Sequence, residues 1–573
     1  MLIKPLQIGG PAFVKPLLAG NVLPPFLETL SPCEVSPKLI VVTLRAISLI
    51  VDAIALEKPW TDSSDGPMRV SSYDSISDQL YKAPAIESLA EILGQPSVDS
   101  PTVQLQQSLV MQLIVKTCRE EYQRRTLLES GILDSLATKL ASNVLAEAQS
   151  LGILGVDQQP RSPHELPSMY LSEILEAIGT IIQKSDYRTA RFMFSPDLHR
   201  LFSSEDVLWE MLLPKLQALQ SRSDPYAKTF PPLGSIASQN GSINFSQLSS
   251  MDYLPARNVA ANEVETPLVT WLMYIARRSQ KKERLAACWI LGLLRSYSDH
   301  YPDDDTPKGV RERYFSYFVV PLVVKMIEDV SPTSEASKQA QLNVREKEEN
   351  RYILERAPAV LAILVKGDEK LQASAVQAKV LPVLCQILKK SFDPLITSSK
   401  PLWSPRPASA IQEDPMIESI SSTLGRAGLS PDILHAFRYR ESTLRALAAI
   451  TDRDDPIRKK VMDLGALTQI RDSLIPYSEE SGESSSPTAE KDGNPLWVVI
   501  AACKVARSLS RSVSILRTSM IDHGIAKPVY ALASHSDVRV QIAATDVLIN
   551  FMLEFSPEKI VSATIPIQVI QSY

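Results

Sequence analysis

The sequence predicts an all-α protein that is built from repeated helical units. Three observations support this prediction: apolar residues recur at helical spacing, short corner motifs recur between these segments, and no run shows convincing period-two alternation. Only 20 of the 573 residues are glycine, which also disfavours the tight turns of an all-β fold. The individual helices follow from the local pattern in each segment.

The predicted helices are marked by apolar stripes and by capping residues. Ser100-Pro101 begins a helix, because serine is favoured at the N-cap and proline at the first helical position. Stripes at 285–293 and 444–448 repeat the i, i+3, i+4 spacing, and we expect Trp289 and Trp497 to be buried. The longest predicted stripe consists of Val540, Ala543, Ala544, Val547, Leu548, Phe551, Met552 and Phe555.

A corner motif recurs between helices. A short helix ends in small or polar residues, a glycine follows, and an aliphatic residue begins the next helix. Glycine suits this position because it adopts φ > 0 at no steric cost. The motif occurs at Gly20, Gly131, Gly465 and Gly524, and Lys379 occupies the corner position of a fifth copy.

The spacing of the corners identifies the type of repeat. Gly465 and Gly524 are 59 residues apart, and removing the 17-residue polar insert 478–494 leaves 42. Armadillo and HEAT repeats are about 40–47 residues long. The sequence therefore predicts an armadillo/HEAT-like right-handed α-solenoid. We expect a single solenoid over residues 1–573, truncated at both ends, with disordered insertions at about 59–79, 221–258, 394–415 and 478–494.

A repeat solenoid binds partners along a concave groove. We expect each corner to lead into a long third helix whose fourth, fifth and eighth positions, counted from the corner, face that groove. Side chains beside these positions complete a polar surface of mixed charge that suits peptides or partner proteins. The candidate groove residues are Thr468, Gln469, Arg471, Asp472, Lys527 and Tyr530.

Composition and motifs exclude several other classes of function. The net charge of -5 gives no basic footprint for nucleic acid, and no apolar run is long enough for a membrane span. Glycine-rich phosphate loops and catalytic motifs are absent, and the run Asp303–Asp305 has the context of a turn. The five scattered cysteines predict reduced, buried thiols in a cytoplasmic or nuclear protein. We expect no enzyme activity and no cofactor.

Four segments carry a resemblance to a known family. They are Ala506–Ser519, which contains Arg-Ser-Val-Ser-Ile-Leu-Arg-Thr-Ser, then Leu553–Lys559, and upstream Lys116–Arg124 together with Tyr187–Phe192. The chain resembles the armadillo-repeat subunit of the glucose-induced-degradation (GID/CTLH-type) ubiquitin ligase, in a fungal version. The family solenoid continues beyond the segment at Leu553, which is the reason to expect truncation.

The resemblance implies a non-enzymatic adaptor in a hetero-oligomeric complex. Such a subunit links the substrate receptor to the catalytic scaffold, so that client proteins are degraded by the proteasome. The alternative is an importin-α-like or other armadillo adaptor for peptide binding and transport. The importin-α class lines its groove with tryptophan followed four residues later by asparagine, whereas Trp271, Trp289 and Trp497 are followed by Ile275, Leu293 and Ala501.

Overall fold

The computed structural model confirms the all-α class. Its regular secondary structure is helical in the part of the chain that it describes, apart from one isolated bridge between Pro476 and Asn494. Apart from Gln79, Gly493 and Asn494, the predicted insertions lie outside the described residues. The structure describes residue 17 and residues 20–30, 35–54, 79–96, 100–150, 170–202, 267–300, 313–331, 343–393, 431–476, 493–512 and 515–552.

The chain divides into two compact units. Unit 1 comprises Met1–Leu56, Arg69–Val319 and Leu424–Gly428, and unit 2 comprises Glu57–Met68, Val320–Thr423 and Leu429–Tyr573. A single solenoid over the whole chain stays a prediction.

In unit 1, four helices from successive groups pack on one another in chain order: α2 (Pro37–Ile54), α4 (Pro101–Thr117), α7 (Leu171–Ile182) and α11 (Lys281–His300). Their apolar faces form the core, in which Trp271 and Trp289 are buried. The helices are α1 (Leu23–Glu28), α2 (Pro37–Ile54), α3 (Ala83–Gly94), α4 (Pro101–Thr117), α5 (Glu121–Glu129), α6 (Ile132–Ser150), α7 (Leu171–Ile182), α8 (Asp186–Met193), α9 (Pro196–Phe202), α10 (Pro267–Arg278) and α11 (Lys281–His300), followed by a π-helical turn at Phe315–Val319.

In unit 2, the order of long helix, short helix, corner and further helix occurs three times and is followed by one more long helix. The long helices pack side by side in chain order: α13 (Val344–Val365), α16 (Pro431–Ile450), α19 (Leu496–Ser510) and α22 (Val538–Met552). The helices are α12 (Val320–Val330), α13 (Val344–Val365), α14 (Glu369–Gln377), α15 (Val380–Lys390), α16 (Pro431–Ile450), α17 (Asp455–Asp463), α18 (Leu467–Ser473), α19 (Leu496–Ser510), α20 (Ile515–Asp522), α21 (Ala526–Leu532) and α22 (Val538–Met552).

The predicted corners are confirmed by the backbone. Gly131, Gly465 and Gly524 have φ of 74°, 70° and 77°, in the left-handed region. Lys379 has φ of 61°, so that a lysine adopts the same conformation. In the motif around Gly20 the left-handed residue is Asn21, with φ of 54°.

Lys379→Gly is expected to stabilise unit 2 by about 0.5 kcal/mol. A non-glycine residue in the left-handed conformation costs about 1–2 kcal/mol, and the greater freedom of glycine in the unfolded chain offsets about 0.4–1 kcal/mol of that gain. Urea denaturation followed by circular dichroism measures the change. Lys379→Ala is the control, because alanine keeps the strain; equal stability of the glycine and alanine variants would contradict the explanation.

A buried arginine closes the end of the preceding helix in several repeats. Arg458 is 5% exposed; its Nε donates to the carbonyl of Thr451 at 2.8 Å and its NH2 donates to the carbonyl of Asp452 at 2.6 Å. Arg517 and Arg188 repeat this contact with the carbonyls of Ser510 and Ile181, each at 2.6 Å. The last carbonyls of a helix lack helical partners, and a cation suits that end of the helix dipole.

Sequence reasoning missed these arginines, although a signal for them exists. Arg458, Arg517 and Arg188 each lie seven residues after the carbonyl that they contact. In α14 the position is taken by Gln372, whose Nε2 donates to the carbonyl of Val365 at 3.4 Å. A long side chain with a hydrogen-bond donor, about one turn after the start of the short helix, therefore marks these repeats.

The predicted insert at 478–494 ends earlier than expected. Asn494 is only 2% exposed, and its Nδ2 donates to the carbonyls of Asp472 and Ile475 at 2.8 and 3.0 Å. The NH1 of buried Arg440 donates to Asn494 Oδ1 at 2.5 Å. Asn494 therefore belongs to the folded repeat, where it joins α16 to the end of α18.

The predicted stripe on α22 is confirmed in part. Val540, Ala544, Val547 and Phe551 are buried. Met552 was expected in the core, but it is 55% exposed, because it lies about 100° around the helix from Phe551 and outside the buried stripe. Phe555 lies outside the described residues.

The thiols of Cys118, Cys288, Cys385 and Cys503 are expected to resist alkylation in the folded protein. All four are buried and free, and burial raises the pKa of Cys118 to about 11 and those of the other three to about 12. A raised pKa keeps a thiol neutral, and the thiolate is the nucleophile. Iodoacetamide labelling at pH 8, located by peptide mass spectrometry, should modify these cysteines only in urea; equally fast labelling without urea would contradict this.

Candidate partner-binding surface

The six predicted groove residues lie on two very short helices. Thr468, Gln469, Arg471 and Asp472 lie on α18, and Lys527 and Tyr530 lie on α21; each of these helices has seven residues. The expectation of a long third helix after these corners is therefore wrong. The long helices instead precede the short helices α17 and α20, which lead into the corners.

The side chains after the corners serve contacts between neighbouring repeats. The Nζ of Lys389, at the end of α15, donates to the carbonyl of Leu464 at 2.8 Å, next to the corner that follows. Arg471 pairs with Asp472 at 2.9 Å, and its Cδ lies 3.7 Å from the position that a Cβ at Gly524 would occupy. Arg471 on α18 thus reaches the corner that precedes α21, and a groove formed by the six residues stays a prediction.

A different surface is formed by the long helices of unit 2. Charged side chains join α13 to α16 across their exposed edges. His435 Nδ1 lies 2.7 Å from Glu355 Oε1, and Arg438 NH1 lies 3.5 Å from Glu355 Oε2. Arg351 pairs with Asp432 at 2.5 Å. Because the partners come from consecutive long helices, these contacts fix the spacing of the helices as well as the charge of the surface.

The same surface continues over α19 and α22. Arg507 NH1 pairs with Asp546 Oδ2 at 2.9 Å, and the Nδ2 of Asn550 donates to the carbonyl of Arg507 at 3.0 Å. Lys504 is exposed one turn earlier on α19. Trp497 is half-buried and packs edge-on against Phe437 of α16, with 6.4 Å between the ring centroids.

We call this surface the long-helix face. It combines ion pairs between helices with exposed basic and apolar side chains, which suits the binding of a protein or peptide. Sequence reasoning missed it because every long helix shows the same 3.6-residue period, which does not say which side stays exposed. The face is defined by Tyr352, Glu355, His435, Arg438, Ile500, Lys504, Arg507, Ile542 and Ile549.

Other kinds of site find little support in the described part of the chain. His, Cys, Asp and Glu side chains form no group there that could hold a metal ion, and the run Asp303–Asp305 lies outside it. The Nδ1 of His523 contacts the carbonyl of Ser519 at 2.7 Å, a contact at the end of a helix. No single described helix is long and apolar enough to cross a membrane, although α14 and α15 together pass the same criteria with a bend of 75° between them.

The tryptophans bear on the importin-like alternative. Trp271 and Trp289 are 1% and 2% exposed, so that both are core residues and cannot grip a peptide. Among the described tryptophans only Trp497 reaches the surface, half-buried, and it is followed four residues later by the buried Ala501.

Comparison with known proteins confirms the resemblance seen in the sequence. The chain is 30% identical over 209 residues to GID complex subunit 5 of Schizosaccharomyces pombe, covering 36% of this chain and 23% of that protein. It is 30% identical over 141 residues to Armadillo repeat-containing protein 8 of Mus musculus and 33% identical over 141 residues to that of Danio rerio, in each case covering 25% of this chain and 19% of the relative. The chain thus matches about a fifth of the length of these relatives.

Comparisons with family models and with solved structures give less information about this chain. No family model matches the chain. A designed armadillo repeat protein of known structure aligns with 70% of this chain and 99% of its own, at 11% identity and a TM-score of 0.31. That likeness is low, and the fold assignment rests on the helices, the corners and the matched relatives.

Proposed function

We propose that this chain is a non-catalytic adaptor subunit of a GID/CTLH-type ubiquitin ligase. The observation that carries the proposal is its 30% identity over 209 residues to GID complex subunit 5 of Schizosaccharomyces pombe. In this role the chain links a substrate receptor to the catalytic scaffold, and client proteins are thereby passed to the proteasome. The complex acts in the cytoplasm and in the nucleus.

The long-helix face supplies a surface that fits such a role. An adaptor has to bind two proteins at once without reacting with either, and stacked repeats provide separate surfaces for this purpose. The ion pairs of Glu355 and Asp546 with side chains of neighbouring helices hold the face in one arrangement. A surface of this kind needs no cofactor, and neither nucleic acid nor a membrane enters the proposal.

Affinity purification from the source organism tests the proposal. The full chain carries a tag, and mass spectrometry identifies the proteins that are recovered with it. We expect the RING-bearing and scaffold subunits of the ligase to be enriched over a purification with the tag alone. Recovery of neither kind of subunit would contradict the proposal. Tight binding of basic peptides in place of ligase subunits would favour the importin-like alternative.

A further inference from the structure

A lysine in unit 1, Lys139 on α6, has its amine held by a neutral group. Its Nζ donates to Oε1 of Gln107, on α4, at 2.8 Å. Lys139 is half-buried, whereas Thr138 and Ser142 beside it on α6 are exposed. The amine therefore lies close to the surface of unit 1, where it contacts an uncharged carboxamide.

The orientation of the Gln107 carboxamide is fixed by the chain. Gln107 is 4% exposed, and its Nε2 donates to the carbonyls of Ile92 and Gln95 at 3.1 and 2.8 Å. These carbonyls lie in the last turn of α3 and directly after it, where helical donors are lacking. Because both carbonyls take hydrogens of the NH2 group, the amide oxygen is the atom that faces Lys139.

The surroundings of Lys139 favour its neutral amine. No carboxylate among the described residues offsets its burial, and burial lowers the pKa of Lys139 to about 8. Removal of an ammonium group from water disfavours the charged form. At pH 7.5 about a quarter of amines with such a pKa are neutral, against about 0.1% for an ordinary lysine with a pKa of about 10.4.

Lys116 on α4 is also half-buried, but its amine is held differently. Its Nζ donates to Ser48 Oγ and to Asp52 Oδ2, each at 2.8 Å. An ion pair with a carboxylate favours the protonated amine, which has no lone pair to offer. In Lys139, by contrast, the neutral amine satisfies Gln107 with one N–H group and keeps its lone pair.

We infer that Lys139 is an acylation site that takes small acyl thioesters of the acetyl-coenzyme A type. The lone pair of the neutral amine attacks the carbonyl carbon of the thioester. A C–N bond forms, the C–S bond breaks, and the thiolate leaves with the electron pair of that bond. The nitrogen gives up one proton to solvent and is left as an amide.

The amide product suits the contacts of Lys139. Its nitrogen keeps one N–H group, which is the number that Oε1 of Gln107 takes from the amine. The product has no charge, so that the cost of burying an ammonium group at this position disappears. Acylation is therefore expected to leave unit 1 at least as stable as before.

The pH dependence of acetylation in the intact chain tests the inference. The full-length chain is incubated with acetyl-coenzyme A between pH 7 and 10, and peptide mass spectrometry follows each lysine. At pH 7.5 Lys139 should react roughly tenfold faster than Lys116, since its larger neutral fraction outweighs the weaker nucleophilicity of a less basic amine. Its rate should level off above about pH 8, whereas an ordinary lysine gains reactivity up to about pH 10.

Unfolded chain is the control for this experiment. In urea the two lysines should react at similar rates, because the difference between them comes from the fold. Acetylation of Lys139 that is no faster than that of Lys116 in the folded chain would overturn the inference, as would a rate that still rises steeply at pH 10. No ligase subunit takes part, so that the outcome is independent of the proposed function.

The fit of the product is tested by acetyllysine that is introduced genetically in place of Lys139. The thermal unfolding temperature of this chain should equal or exceed that of the unaltered chain. Lys139→Arg, which keeps a permanent charge, should unfold at a lower temperature than the acetylated chain. A lower unfolding temperature of the acetylated chain than of the unaltered chain would show that the fold rejects the product and would overturn the inference.

Discussion

Arg458→Ala is expected to lower the free energy of unfolding of unit 2 by about 3 kcal/mol. The guanidinium of Arg458 is 5% exposed and donates to the carbonyls of Thr451 and Asp452 after the end of α16. Alanine leaves these carbonyls without their donor and opens a gap beneath the short helix. Urea denaturation followed by circular dichroism measures the loss.

Lys459→Ala is the matched control for this variant. Lys459 is exposed on the same helix, and its replacement should change stability by less than about 0.5 kcal/mol. Equal stability of the two variants would contradict the role of the buried arginine in closing the repeat.

The pH dependence of the same variants follows from Asp455. The hydrogen bond from Ser512 and the ion pair with Arg458 lower the pKa of Asp455. A depressed carboxyl pKa stabilises the folded state above the unfolded pKa, and this contribution is lost as the pH falls through the folded value. Arg458→Ala should therefore cost more at pH 7 than at pH 3, because the contribution of the ion pair is progressively lost as the pH falls through the pKa of Asp455 in the unfolded chain and then in the folded chain. An equal cost at the two pH values would contradict this coupling.

Gly179→Ala is expected to destabilise unit 1 by about 2 kcal/mol. A Cβ at Gly179 would lie 2.8 Å from Cε3 of Trp289, the buried indole on α11. The helix α7 thus approaches the indole at a distance that only glycine permits. Chemical denaturation measures the cost of the added methyl group.

A double-mutant cycle with Trp289→Leu tests the origin of that cost. Trp289→Leu alone should destabilise the unit by about 3 kcal/mol, because it leaves a cavity in the core. In that background Gly179→Ala should cost little or should stabilise, since alanine favours a helix more than glycine by about 0.5–1 kcal/mol. Additive effects of the two substitutions would contradict the steric explanation.

The corners could be predicted from the sequence because their cause is local. Gly465 and Gly524 adopt φ > 0 between two short apolar segments, and a few neighbouring residues determine that outcome. Even Lys379 could be placed at a corner by analogy with its neighbours. The fold class followed from the same local features, since the helical spacing and the repeat length are both visible in one chain.

The binding surface could not be predicted because its cause is not local. On α22, Val540 and Val547 form one apolar stripe, and Ile542 and Ile549 form a second. Both stripes have helical spacing, and only the packing of α22 on α19 and α21 decides that the first is buried. For the same reason the candidate residues on α18 and α21 were placed on a long helix that does not follow those corners.

The long-helix face is tested most directly by two matched charge reversals in the tagged full-length chain. Lys504→Glu with Arg507→Glu alters the face, and Lys527→Glu with Arg471→Glu alters the helices after the corners; each pair changes one exposed lysine and one arginine that forms a surface ion pair. We predict that the first pair lowers recovery of ligase subunits at least about tenfold and that the second leaves it unchanged. Loss of recovery with the second pair and not with the first would contradict the account.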